Sequence, residues 1–209
     1  MKILNKITPI FAVLILASSC ATVQIDDITY VAPEKTEYSK TVKFNNSKDD
    51  VWNALIDYAS ESFFSINTYQ KDSGLMTLSF TSSPERFVNC GNWIVNGVDN
   101  NYVEFMRLRQ GTNVDLNGVL NLRVAERDEG VTSLTANARY IMTVSQSGYT
   151  YNLNYQQVPY NYSDRYTFDS NSTESVLITN SAAGTSPYRT CGPTGIAEST
   201  ILDGVKELL

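Results

Sequence analysis

Cys20, Cys90 and Cys191 are the most reactive side chains in this sequence, and no histidine is present to activate them or any serine. Without an imidazole, Ser-His-Asp and Cys-His nucleophile systems are excluded, together with histidine-anchored zinc sites. No Gly-x-Ser-x-Gly elbow, phosphate-cradling glycine loop or EF-hand loop occurs. Carboxylate-only chemistry, as in glycan cleavage, remains open, because it needs only two acids about 5 to 10 Å apart. With 22 acids in the chain, such a pair arises readily by chance. Glu85, Glu104 and Glu198 are the nearest candidates, and each reads better as a cap, an ion-pair member or a solvated charge. Arg107 and Arg109 alternate on what reads as an edge strand and could grip an anion, although a solvated face is the simpler reading. The expectation is a noncatalytic chain with no cofactor and no metal.

The N-terminus says where such a chain would work. Lys2 and Lys6 flank the start, an unbroken apolar run follows at 10–17, and Ser18 and Ser19 close it. That order of charge, apolar core and small residues is a secretory signal. The run is far short of the roughly 20 residues a spanning helix needs, and Pro9 interrupts any upstream extension. Residues 16–20, Leu-Ala-Ser-Ser-Cys, resemble the lipobox of bacterial lipoproteins, whose cysteine receives a diacylglycerol before cleavage. The resemblance implies removal of residues 1–19 and membrane attachment through lipid on Cys20. Each buried CH₂ adds about 0.8 kcal/mol, so several acyl chains make the attachment lasting. By the family's sorting habit, Ala21 after the cysteine implies the outer membrane, with the domain facing the periplasm or the cell surface.

Once Cys20 is assigned to lipid, Cys90 and Cys191 remain as an even pair in an oxidising compartment, where a disulfide is expected. Two free thiols or a metal site are the alternatives, and the lack of histidine or a further cysteine disfavours a metal cage. Cleavage also removes two lysines, leaving 14 bases against 22 acids, a side-chain balance of −8. Such a surface repels phosphate backbones, so nucleic acid is not an expected partner.

Residues 21–37 are polar, contain Pro33 and show no sustained period, which reads as a lipidated linker over 20–37 ahead of a single domain over 38–209. Val42 and Phe44 alternate with Lys43 as in a half-buried strand. Ser47, with Asp50 three residues on, opens a helix expected over 47–63 with a broad apolar stripe through Val51, Leu55, Tyr58 and Ala59. Residues 64–69 and 75–81 flank Lys71-Asp72-Ser73-Gly74 and form a hairpin. Between 82 and 111 the pattern is irregular and reads as loop. Alternation through Val114, Leu116, Leu120, Leu122 and Val124, and again from Leu134 to Val144, gives two long antiparallel strands joined by a turn at 126–130. Residues 172–189 are polar and read as loop. Ile196, Ile201, Leu202 and Val205 then mark a terminal helix over 195–209, capped by Thr194. The fold class is therefore α+β, an antiparallel sheet of about five to seven strands with a helix from each half of the chain packed on it.

Six of the 13 tyrosines lie between 148 and 168. Tyrosine brings rigid, amphipathic contact area that suits glycans or partner proteins, so Tyr149, Tyr151, Tyr155, Tyr160 and Tyr162 are candidate binding residues. Ordinary strand alternation is the simpler reading of the same residues.

Residues 38–82, with Asp50-Val51-Trp52 followed by Lys71-Asp72-Ser73-Gly74, resemble the domain of the barrel-assembly-machine lipoprotein C subunit and related helix-grip envelope lipoproteins. That family binds partner proteins and has no catalytic residues to transfer. The leading expectation is a binding or assembly module contacting an envelope protein or glycan. A carrier of small apolar ligands in a helix-grip cavity is the alternative, and a carboxylate-based cell-wall hydrolase the third.

Overall fold

The structure is a computed structural model and describes residues 27–108, 110–128, 130–170, 172–177 and 188–209. Cys20, the segment read as a signal and Arg109 lie outside the described residues. Thr41–Phe44 forms β2, Ser65–Gln70 β3, Leu75–Ser82 β4, Thr112–Asp128 β8, Val131–Tyr151 β9 and Gln157–Asp169 β10. These six make one antiparallel sheet in the order β10-β9-β8-β4-β3, with β2 also paired to β9. The architecture is the expected α+β one, and both helices that the periodicity predicts are present.

The strand alternation decides which face is buried. Met76, Leu78 and Phe80 of β4, Leu116, Leu120 and Leu122 of β8, and Leu134, Tyr140 and Met142 of β9 all point to the same side. Helices α1 (Lys48–Glu61) and α3 (Ile196–Glu207) cover that side with Val51, Leu55, Ala59, Ile201, Leu202 and Val205. Fully burying each large aliphatic contributes about 1.5–3 kcal/mol. Three small residues let rings approach closely. A Cβ at Gly118 would stand 2.2 Å from the Phe80 ring, one at Gly204 2.1 Å from Tyr58, and one at Gly195 2.3 Å from Tyr38.

α1 begins as expected, with Ser47 Oγ accepting from the Asp50 N–H at 3.2 Å. The β3–β4 hairpin also matches, its Gly74 at φ 67° with no room for a Cβ against the Val124 carbonyl.

Several segments differ from expectation. Within the stretch read as linker, Ile28–Val31 forms β1 and pairs with β6 (Asn92–Val95), which in turn pairs with β7 (Val98–Asn101). Their turn, Asn96-Gly97, has φ 50° and 79°, the left-handed pair that a two-residue hairpin requires. The segment read as loop at 82–111 thus carries this small sheet, the 3₁₀ turn Pro84–Arg86, β5 (Val88–Asn89) and α2 (Tyr102–Arg107). Strands of two to four residues show too few alternations for their period to be seen. Arg107 closes α2 and is not on an edge strand. The segment read as loop at 172–189 includes β11 (Glu174–Leu177) and the start of β12 (Tyr188–Pro193). Thr194 Oγ1 accepts from the Ile196 N–H at 3.4 Å, but Thr194 is not the N-cap residue of α3. Gly195 occupies the N-cap at φ 79°, and Thr194 Oγ1 donates to the Arg86 carbonyl at 3.0 Å.

Cys90 and Cys191 form the disulfide, 101 residues apart in sequence. β5 pairs with β12 through Asn89↔Gly192 and Val88↔Pro193, so the cysteines face each other one step along that ladder. Tyr30 of β1 donates to the Cys90 carbonyl at 3.2 Å and tilts against Trp93 at 4.9 Å. The bridge therefore ties the small sheet to the segment leading into α3. Closing a loop of about 100 residues is worth up to about 4.7 kcal/mol in the chain-entropy model. The Cys90→Ser/Cys191→Ser variant should lose roughly 2–5 kcal/mol in urea unfolding. A loss below 1 kcal/mol would show the ladder holding without the bridge.

Candidate functional site

The expected tyrosine residues fall on one projecting hairpin. β8 starts at Thr112, opposite Gln146 of β9, whereas β9 runs on to Tyr151 and β10 turns back from Gln157. Residues 147–151 and 157–161 therefore extend past β8 as a two-stranded ribbon. Tyr149 and Tyr151 lie on the sheet's outer face, 67% and 68% exposed, opposite Pro159 and Gln157. Tyr160 and Tyr162 lie on the other face, opposite Gly148 and Gln146. Tyr155 is not on a strand. It sits in the turn at φ 58°, 89% exposed, beside Leu153, which is 100% exposed.

Isolated two-stranded ribbons are marginal in water, so this one needs internal support. Asn152 supplies much of it. Its Oδ1 accepts from the backbone N–H groups of Asn154 and Gln156, both at 2.9 Å, and its Nδ2 donates to Gln156 Oε1 at 3.0 Å. The Asn152 N–H also donates to the Gln156 carbonyl at 3.0 Å. On the inner face the Tyr160 ring lies over Gly148, where a Cβ would stand 2.9 Å from it. Further down, Tyr162 and Tyr166 both donate to Asp164 Oδ2, the latter at 2.9 Å. Burial raises the Tyr166 phenol above its ordinary pKa, and the bond to Asp164 adds to the shift. Tyr160, Tyr162 and Tyr166 thus brace the ribbon, while Tyr149, Tyr151 and Tyr155 are presented to solvent. Among the described residues no hydrogen bond engages the hydroxyls of those last three.

The three candidate acids have structural partners. Glu104 closes a capping box with Asn101 at the start of α2, and Glu85 accepts from Ser83 Oγ. Glu198 is 0% exposed, on the inner side of α3. Its Oε2 accepts from Tyr140 at 2.7 Å, and its Oε1 from Tyr38 at 3.2 Å and from Ser170 Oγ. Ser170 Oγ also accepts from the Ala138 N–H at 2.6 Å, and Lys40 Nζ donates to the Ser170 carbonyl at 2.6 Å. This buried acid was legible only in part. It falls three, four and seven residues before Ile201, Leu202 and Val205, on the apolar stripe, a position that a solvated charge avoids.

A cavity of about 390 Å³ opens above this group, lined by residues 33–38, Lys40, Asn89, Ser170, Ser172, Thr173, Thr190, Gly192 and Pro193. Its walls mix polar and apolar surface, with the apolar part the larger, and no α1 residue lines it. Among the described residues no group of three or more Cys, Asp and Glu side chains is placed to hold a metal ion. No described helix is long and apolar enough to cross a membrane. Comparison with protein families, curated proteins and solved structures finds no match to this chain.

Burial raises the Tyr140 phenol far above its ordinary 10.0, with the Glu198 carboxylate second, and the Tyr38 phenol rises for the same reasons. A phenol whose folded pKa exceeds the unfolded value stabilises fully below pH 10 and progressively less as pH climbs through the window above it. Urea unfolding should show Tyr140 contributing a fall of about 1 kcal/mol between pH 10 and 11, steepening toward about 1.4 kcal/mol per pH unit above that. The Tyr140→Phe variant should lose that share of the slope, and an unchanged slope would refute the assignment.

Proposed function

We propose that this chain is a lipid-anchored envelope protein acting as a noncatalytic binding or assembly module, with the β9–β10 ribbon as its contact element. The observation that supports this best is the ribbon itself. Tyr149, Tyr151, Leu153 and Tyr155 are held in water at the end of a braced projection, where burial by a partner would repay their exposure. Bracing also lowers the ordering cost of binding, because the turn is already fixed by Asn152. Against a catalytic reading stand the partners of Glu85, Glu104 and Glu198, each of which accounts for its acid structurally.

The anchor rests on the sequence around Cys20. Its consequence for geometry is that the tether is short. Asp27 already exchanges hydrogen bonds with Asn96 at the tip of the β6–β7 hairpin, at 3.0 and 3.3 Å. Cys20 and Asp27 are seven positions apart in sequence, a reach of at most about 25 Å. The folded body would work close to the bilayer surface, and the ribbon would meet components that lie on or near it.

Two measurements check this reading. Cys20→Ala should move the protein from the membrane fraction to the soluble envelope fraction, and retention in the membrane would remove the anchor. A photo-crosslinking side chain placed at Tyr151 should give discrete heavier adducts in intact cells. A smear, or adducts equal to those from the same probe at exposed Lys43, would count against the ribbon as the contact element.

A further inference from the structure

The β9–β10 ribbon carries a side-chain chemistry distinct from the rest of the chain. Between Arg139 and Asp164 there is no charged residue, although at the chain's 18% the segment would hold about four. The neighbouring strands continue this character. Thr77 Oγ1 donates to Asn121 Oδ1 at 3.4 Å, Thr81 Oγ1 to Asn117 Oδ1 at 3.1 Å and Ser79 Oγ to Asn67 Oδ1 at 3.0 Å. Asp115, Arg123, Arg139 and Arg165 also lie exposed on this face, so its charge-free part is the ribbon end, where it closes in two exposed rings, Tyr149 and Tyr151. Two residues apart on one strand, those rings are separated by roughly 6.8 Å along it. Pro159 and Gln157 stand opposite them, and Asn161 stands opposite Ser147.

We infer that this surface binds a neutral polysaccharide, an assignment that rests on the ribbon being the contact element. Each sugar ring presents an apolar C–H face and a rim of hydroxyls. The first stacks on a tyrosine ring, and the second exchanges hydrogen bonds with amides and hydroxyls that donate and accept without carrying charge. A nucleic acid or other polyanion would need cations here, and the ribbon has none. An ordinary protein surface carries about 25% charged residues, for which this face offers no complementary charge at the rings. The fixed Asn152 turn holds the platform before the ligand arrives, so a weak stacking energy per ring is not spent on ordering it.

The test is affinity electrophoresis of the full-length, detergent-solubilised protein through gels containing dextran, mannan, xylan, laminarin or hydroxyethylcellulose, with pull-down on insoluble chitin. Retardation or retention by at least one polymer is expected. The Tyr149→Ala/Tyr151→Ala variant should bind at least about tenfold more weakly, whereas Tyr149→Phe/Tyr151→Phe, which keeps the rings, should stay within about threefold of the parent. The substitutions lie outside the packed core, so thermal unfolding should be unchanged, and this separates loss of binding from loss of fold. Failure with all six polymers, or retardation indifferent to the alanine pair, overturns the glycan assignment. If the probe at Tyr151 still gives discrete protein adducts in that case, the binding-module reading survives with a protein partner. If it gives none, both fall.

Discussion

The fold depends on how the 21-residue β9 is satisfied along its second edge. β8 lines one side from Val131 to Gln146, and the other side is divided between β2, at residues 132–135, and β10, at 139–151. Between them the backbone of 136–138 has no strand beside it, and buried N–H groups left unpaired would each cost about 1–3 kcal/mol. Lys40 and Ser170 close that gap. The Lys40 carbonyl accepts from Ala136, Ser170 Oγ accepts from Ala138, and the Ser170 N–H donates to the Ala138 carbonyl. Glu198 then reaches in from α3 to hold Ser170 in place, and Tyr38 and Tyr140 supply the carboxylate with its other donors. A buried ionisable group is costly unless fully hydrogen-bonded, so the group only makes sense as a complete set. It fixes α3 against the sheet, and it fixes where β10, returning from the ribbon, leaves β9.

The ribbon follows from the same arrangement. β10 ends on β9 at Arg139, four residues past the β2 ladder, while its start pairs out to Tyr151, five residues past the last β8 pair at Gln146. What overshoots has no third strand and no helix beneath it, so it cannot be stabilised by a shared core. It is stabilised by local devices, namely the Asn152 turn, the Tyr160 ring across Gly148 and the Asp164 carboxylate between two phenols. These use up the inner-face tyrosines and leave the outer-face ones exposed. Five of the six tyrosines in this short segment therefore divide by strand parity into a supporting set and a presented set, and the turn presents the sixth, Tyr155.

That division shows what the sequence could and could not disclose. Long alternation made β8 and β9 readable, helical spacing gave α1 and α3, and counting cysteines gave the Cys90–Cys191 pair. The tyrosine segment was readable as strand, but not which rings face solvent, because that depends on β8 stopping at Thr112. Tyr155 continued the alternation on paper, yet it falls in a turn that the two flanking asparagines, Asn152 and Asn154, favour over strand. The small sheet of β1, β6 and β7 was illegible because four-residue strands carry only two alternations, although Asn96-Gly97 is the strongest two-residue hairpin signal there is. Glu198 reads from the sequence as a cap, a pair member or a solvated charge. Its spacing to Ile201, Leu202 and Val205 places it on the apolar stripe, but its partners come from residues 28 to 160 positions away.

The disulfide and the buried acid divide the work of holding α3. Cys191 and Thr194 tie the segment before the helix to residues 86–90, with the Thr194 N–H donating to the Phe87 carbonyl at 2.9 Å. Glu198 fixes the first turn itself to β9 and to the entry into β2 through Tyr38. Removing the bridge frees a covalent constraint on the unfolded chain but leaves the Glu198 contacts intact, whereas removing a phenol leaves a buried carboxylate short of a donor in the folded state. The two perturbations act on opposite sides of the folding equilibrium and share no partner atom, so their effects on stability should be close to additive. A double-mutant cycle between Cys90→Ser/Cys191→Ser and Tyr140→Phe measures this directly. A coupling above about 0.5 kcal/mol would mean that the bridge also sets the position of Glu198, making α3 and the small sheet one cooperative unit.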